Sequence, residues 1–163
     1  MVESMISPVP VDIEPKRKNR WVLEFPSDLG IEEWMVQTTA RPSMTIGEVE
    51  IPYMNISSWV AGRVVWDNFD VTFIDPIGPS TSQAIMKWIY QCVVPESGRM
   101  GFAASYKKNL TLKLLGPAGT EVEKWEIRGA WPVSANFGDL DYSAEDLADV
   151  TVSIKFDYAI LDY

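Results

Sequence analysis

Residues 150–158 read VTVSIKFDY, with Val150, Val152, Ile154, Phe156 and Tyr158 alternating against Thr151, Ser153, Lys155 and Asp157. Strict alternation over this length places an apolar row and a polar row on opposite faces of a strand. Such a strand is not stable alone, so the rest of the chain must supply its partners and cover its apolar face. A Gly-Ala-Trp-Pro turn at 129–132 and an Asp-rich stretch lead into it. The chain is therefore read outward from this strand, as a β protein.

Upstream, residues 107–115 alternate Leu110, Leu112 and Leu114. The turn Gly116-Pro117-Ala118-Gly119 joins them to 121–131, where Trp125, Ile127 and Trp131 recur in phase. That combination predicts a hairpin. Residues 57–65 form a further strand. Residues 66–75 then alternate Phe69, Val71 and Phe73 against Asp70, Thr72 and Ile74, and end at the breaker DPIGP, 75–79. Two more strands are expected at 20–25 and 33–39, paired as a hairpin across a short gap of turn formers.

The segment 40–62 is apolar yet punctuated by Pro42, Gly47 and Pro52. It reads as a long loop holding one short strand, 46–51, with Glu48 and Glu50 on one face and Val49 and Ile51 on the other. A long apolar loop is awkward in a monomer and marks a docking surface. One helix is expected over 80–94, opened by a Ser80–Gln83 capping box and stopped by Pro95 and Gly98. Ile85, Trp88, Ile89, Cys92 and Val93 make its apolar stripe, with Lys87 and Gln91 opposite. Residues 96–106 read as a loop. The fold class is mainly β: an antiparallel β-sandwich or partly open barrel with one flanking α-helix, whose open edges recruit other chains unless blocked. Residues 1–19, with three prolines and no periodicity, read as an extended N-terminal arm or a disordered tail, and 20–163 as one domain.

Composition narrows the function. The 163 residues carry a net charge of −9, no histidine and the single cysteine Cys92. No run reaches the ~18–20 apolar residues of a membrane helix, and the N-terminus lacks a signal-peptide core, so synthesis in the cytosol without export is expected. An acidic chain repels phosphate, which disfavours free nucleic-acid binding. The absence of histidine removes the commonest general base and metal ligand. Cys92, on the apolar stripe, reads as a small core residue and not as a reactive thiol. The seven Trp and six Tyr belong to the core, to subunit contacts, or to both.

Candidate sites are weak. Asp139-Leu-Asp141-Tyr-Ser143-Ala-Glu145-Asp146 spaces oxygen ligands like a calcium loop. Ala144 stands where that loop needs Gly, however, and Val150 where it needs a bidentate Glu. The plainer reading is an acidic turn with Ser143 and Asp146 capping one helical turn. Lys16, Arg17, Lys18 and Arg20 read as a solvated arm, or as partners of an acidic neighbour, ahead of a phosphate contact. No acid pair stands out for glycoside hydrolysis, and no Ser–His pair or phosphate loop is present. No catalytic residue, metal ligand or cofactor is nominated, and an enzyme is not expected.

From Thr39 to Asp75 the sequence resembles the tail tube proteins of contractile-tailed bacteriophages. The resemblance is carried by Ala40-Arg-Pro42, Glu48, Ile51-Pro52, Met54-Asn55, Val60-Ala61-Gly62 and the strand 66–73. It resumes at Lys87-Trp88, Tyr106-Lys107-Lys108 and Ile127-Arg-Gly129-Ala-Trp131-Pro132, and closes on 150–158. It spans nearly all of the chain after residue 19, and the N-terminal arm departs from it.

The resemblance implies a hexameric ring with a continuous β-barrel lumen. Rings stack into a tube inside a contractile sheath, for genome delivery from a virion assembled in the host cytoplasm. Related rings occur in type VI secretion. The implied partners are copies of itself, the tail sheath protein, and baseplate and tail-terminator proteins at the ends. The tape measure protein and DNA pass through the lumen without specific binding. Four strands from each of six copies give a wall of roughly 24 strands, near ~48 Å in backbone diameter at ~4.8 Å spacing and ~40° tilt. Six chains at −9 carry −54 per ring, which keeps DNA from sticking. Expected lumen strands are 33–39, 46–51, 57–65 and 66–74, with Glu48, Glu50 and Asp70 facing inward. Met44, Ile46, Tyr53 and Met54 are expected at subunit contacts. The exposed helix face, the acidic segment 139–149, or both, are expected against a basic sheath surface. Two alternatives stay open: the inner tube of a phage-derived injection machine that transports protein, and a carbohydrate-binding β-sandwich using surface Trp and Asp.

Overall fold

The alternating strand near the C-terminus lies beside the longest strand of the chain. In the computed structural model, which describes residues 10 and 12–162, Asp149–Lys155 forms β10, and its row Val150, Val152, Ile154 is fully buried. β10 lies between β5 (Phe69–Ile74) and β9 (Glu121–Asn136), a 16-residue strand. Before these come β1 (Trp21–Glu24), β2 (Val36–Thr38), β3 (Met44–Tyr53) and β4 (Ile56–Trp66). Helix α1 (Thr81–Cys92) precedes the short strands β6 (Val93–Val94) and β7 (Arg99–Met100), the single turn α2 (Ala103–Tyr106) and β8 (Lys108–Leu115); β11 (Tyr158–Leu161) closes the chain. Seven strands make one antiparallel sheet in the order β1-β8-β9-β10-β5-β2, with β11 also on β9.

This is the expected mainly β architecture with one principal helix. The hairpin β8–β9 and the inward rows Leu110/Leu112/Leu114 and Phe69/Val71/Phe73 are as read from the sequence. In α1, Ala84, Ile85 and Trp88 are buried, and Trp88 Nε1 donates to the Tyr106 carbonyl at 2.7 Å. Phe25 packs on both Phe73 and Trp88, the latter edge-on at 6.4 Å. Ser80 Oγ accepts from Gln83 N, as a helix cap should, while the second carboxyl-type cap comes from Asp75, which takes Ser82 N at 3.2 Å. Cys92 is half-buried, at the edge of the stripe and not inside it.

Four expectations are corrected. First, 20–25 and 33–39 are not a hairpin: β1 pairs with β8 and β2 with β5, at opposite ends of the sheet. The gap contains two 3-10 turns, Ser27–Leu29 and Glu33–Met35, which sink Leu29 and Met35 into the core and carry the chain across. Second, 40–62 is no loop. β3 and β4 form a long hairpin through a two-residue turn, Met54-Asn55, with Met54 at φ 54°. Pro52 is tolerated beside that turn, on a two-stranded ribbon.

Third, the alternation at the C-terminus is interrupted. β10 stops at Lys155; Phe156 stays buried, but Tyr158 starts β11 and is exposed. The cause is in β9, where Gly129 at φ 70° shifts the side-chain phase, so that Glu123 and Ile127 point inward and then Ala130 and Pro132 do. Trp131 is thereby turned off the core row and packs on Tyr106 at 6.1 Å. Fourth, residues 139–149 contain no helical turn: Asp141 Oδ1 accepts from Ser143 N at 3.0 Å and from its hydroxyl at 2.8 Å, a side-chain-closed turn.

Candidate assembly surface

Two antiparallel strands alone are marginal in water. β3 and β4 pair with each other and with no other strand, and only Gly47, Gly62 and Trp66 in them are even half-buried. The hairpin is fixed at its base. Asp67 N donates to the Ser43 carbonyl at 3.0 Å, Lys155 Nζ donates to the Trp66 carbonyl at 3.1 Å, and the Trp66 ring lies 5.6 Å from Phe156. A register shift between Ile46 and Glu48 accommodates an extra residue in β4 at Gly62-Arg63. The strands approach closely there, and a Cβ on Gly62 would lie 3.1 Å from the Gly47 carbonyl oxygen.

The register sorts the candidate residues. Met44, Ile46, Glu48 and Glu50 share one face with Val64, Ala61 and Trp59; Val49, Ile51 and Tyr53 share the other with Val60, Ser58 and Ile56. Met54 is at the tip and is 87% exposed. Glu50 accepts from the Ser57 hydroxyl across the ribbon. The proposed subunit contacts therefore divide between two faces and a tip, and two of them share a face with the acidic pair.

Asp70 lies elsewhere, exposed on the outer face of β5 opposite Ser153. That face continues through Thr72, Thr151 and Ser134 as a polar surface over the apolar core. Of the four segments expected to line one wall, 33–39 and 66–74 meet in the main sheet beside β10 and β9, whereas 46–51 and 57–65 form the separate hairpin. Sequence reading missed the length of this ribbon because its prolines masked it. The usable signal was Asn55 in a two-residue gap between alternating segments.

The sheet also leaves edges open. β8 stops opposite Ala130, so Trp131–Asn136 of β9 is paired only by β10, and beside it an apolar groove of about 370 Å³ runs along Pro132, Val133, Phe137 and Ile89. β1 and β2 each end the sheet on one side.

At the start of β9, Glu123 is 3% exposed. It accepts from Lys16 Nζ and Trp125 Nε1, with Arg41 Nη1 at 3.6 Å. Burial pushes this carboxyl up, but the hydrogen bonds from Lys16 and Trp125 and the charges of Lys16 and Arg41 outweigh it and hold it below the ordinary value. The basic cluster of the arm thus meets an acidic neighbour, and Arg20 similarly pairs with Glu14 at 3.4 Å. Residues 1–9 and 11 of the arm lie outside the described residues. Among the described residues no group of three or more His, Cys, Asp or Glu could share a metal ion.

Comparison with known proteins places this geometry. The family described as T4-like virus tail tube protein gp19 matches residues 58–160. The tail tube protein of Serratia phage KSP90 is 24% identical over 157 residues, covering 90% of this chain and 89% of that protein. Tail tube protein gp19 of Enterobacteria phage T4 is 26% identical over 127 residues, covering 75% and 77%. A chain in the sheath–tube complex of an extracellular contractile injection system, PVC, in its extended state superposes with a TM-score of 0.71 at 17% identity, covering 91% of each chain, which is a likeness of fold.

Proposed function

The chain belongs to the T4-like virus tail tube protein gp19 family, a structural component of the contractile tail of the virion, and on that premise we propose how it builds the tube. Copies close into hexameric rings, the rings stack inside the sheath, and the channel so formed delivers the genome. The observation that carries this is the β3–β4 hairpin, a ribbon with apolar side chains on both faces that the subunit itself does not cover. Covering it takes another copy, and a head-to-tail contact of this kind closes into a ring when its rotation divides the circle.

The roles follow from placement. Tyr53, Met54, Met44 and Ile46 make apolar contacts to neighbouring copies. Asp70 and the polar face around it line the lumen, and Glu48 and Glu50 extend that acidic wall along the ribbon. The exposed side of α1, with Lys87 and Gln91, faces the sheath protein. Tail-terminator and baseplate proteins cap the ends, and the tape measure protein and DNA pass through without specific binding. A structural role needs no catalytic residue. The likeness to an injection-system tube supports a second reading, in which the cargo is protein.

Negative-stain microscopy of the purified full chain tests the proposal: six-membered rings or tubes are expected. A monomer that stays monodisperse at high concentration overturns it.

A further inference from the structure

Charge is unevenly distributed over this chain. At the start of β9, an open cavity of about 330 Å³ is lined by Lys16, Arg17, Lys18 and Arg41 over apolar walls that include Trp21 and Leu112. Lys16 and Arg41 are answered by Glu123. Arg17 and Lys18 have no ion pair among the described residues, and the Thr39 hydroxyl that lines the cavity is buried without a hydrogen-bond partner. At the far end of β9, the connection 139–149 carries Asp139, Asp141, Glu145, Asp146 and Asp149, no cation, and the exposed side chains Leu140, Tyr142 and Leu147. The cavity and the connection are separate patches: Thr38, next to the cavity's Thr39, lies in one row with Thr72, Thr151 and Asn136, so roughly three strand spacings of ~4.8 Å lie between that wall and the end of β9.

We propose that the acidic connection 139–149 of one copy seats in the basic cavity of a copy in the next ring, making a polar joint between stacked rings. This rests on the tube reading above. Copies with a net charge of −9 repel one another, so close stacking needs local complementarity, and one subunit offers both a cationic cavity and an anionic projection. A contact between two different patches is heterologous, and where its rotation does not close it generates an open column. The apolar walls of the cavity and the apolar side chains of the connection complement each other as well.

The test uses three full-length variants: Arg17→Glu/Lys18→Glu, Asp139→Lys/Glu145→Lys/Asp146→Lys, and the chain carrying all five changes. All five positions are exposed, and unchanged thermal unfolding verifies the fold. By microscopy, each partial variant is expected to keep rings while mean stack length falls at least about tenfold, and the combined variant to recover to within about threefold of the parent. Raising salt from about 0.05 M to about 0.5 M should shorten parental stacks in the same direction. Partial variants that stack like the parent, or a combined variant that does not recover, overturn the joint. If the parent forms no rings, the ring reading fails separately. Sedimentation then reads the same loss and recovery in its salt-sensitive self-association, and their absence overturns the joint.

Discussion

Gly129 shows how one residue redirects a strand. Its φ of 70° lies in the left-handed region, and a Cβ there would collide with the Asp157 carboxylate, which pairs with Lys107 at 3.0 Å. Gly129→Ala should therefore cost about 1–2 kcal/mol of backbone strain, plus the displaced ion pair. Denaturant unfolding measures it; in an Asp157→Ala background only the backbone part should remain. Glu123 gives a pH signature. Its folded-state value is depressed below the ordinary carboxylate value of 4.5, so its contribution is full above that value and is lost as pH falls through the lower folded one. Acid unfolding of Glu123→Gln should accordingly lose part of the parent's pH dependence below about pH 4.5. An identical acid limb in parent and variant would remove Glu123 from that account.

At the scale of elements, the hairpin is where assembly and stability separate. Val49 and Val60 face each other on one side of the ribbon, and both are exposed in the subunit. Substituting one with Asp and the other with Lys, a facing pair of opposite charge, should shift subunit stability by no more than about 0.5 kcal/mol per site, because no core contact is lost. The same change should abolish rings, read by sedimentation alongside thermal unfolding. By contrast Trp88→Ala, inside the core, should cost about 3–5 kcal/mol. The contrast also explains what was legible. Elements whose alternation is read by the subunit's own core, β5, β8 and β10, declare themselves in sequence. The ribbon's pattern is not read by that core: both of its faces carry exposed apolar side chains, so period-2 contrast is weak outside 46–51 and its prolines dominate. Pairing was legible only where a tight turn enforces it, as at 116–119. β1 and β2 lie at opposite ends of the sheet because the turns between them bury Leu29 and Met35, which no local motif announces.

For the whole molecule the governing quantity is charge. In the proposed ring, six chains at −9 would place −54, and DNA crossing it would meet repulsion from whichever carboxylates face inward. Residues of both signs contribute to the total, so the total alone does not say which of them line the channel. Asp70 lies on the polar face of the main sheet, whereas Glu48 and Glu50 lie on the ribbon. Separate charge reversals distinguish these placements. Asp70→Lys adds two charges per chain and turns one inward repulsive position per copy into an attractive one, while Glu48→Lys/Glu50→Lys adds four on the ribbon. If all three face the lumen, particles built from either variant should retain normal tubes by microscopy but deliver DNA about tenfold less efficiently at low salt, with recovery as salt screens the wall. If only Asp70 faces it, the ribbon variant should deliver normally and instead alter tube assembly. Unchanged delivery by both would remove all three from the lumen and leave the channel wall to uncharged Ser and Thr positions.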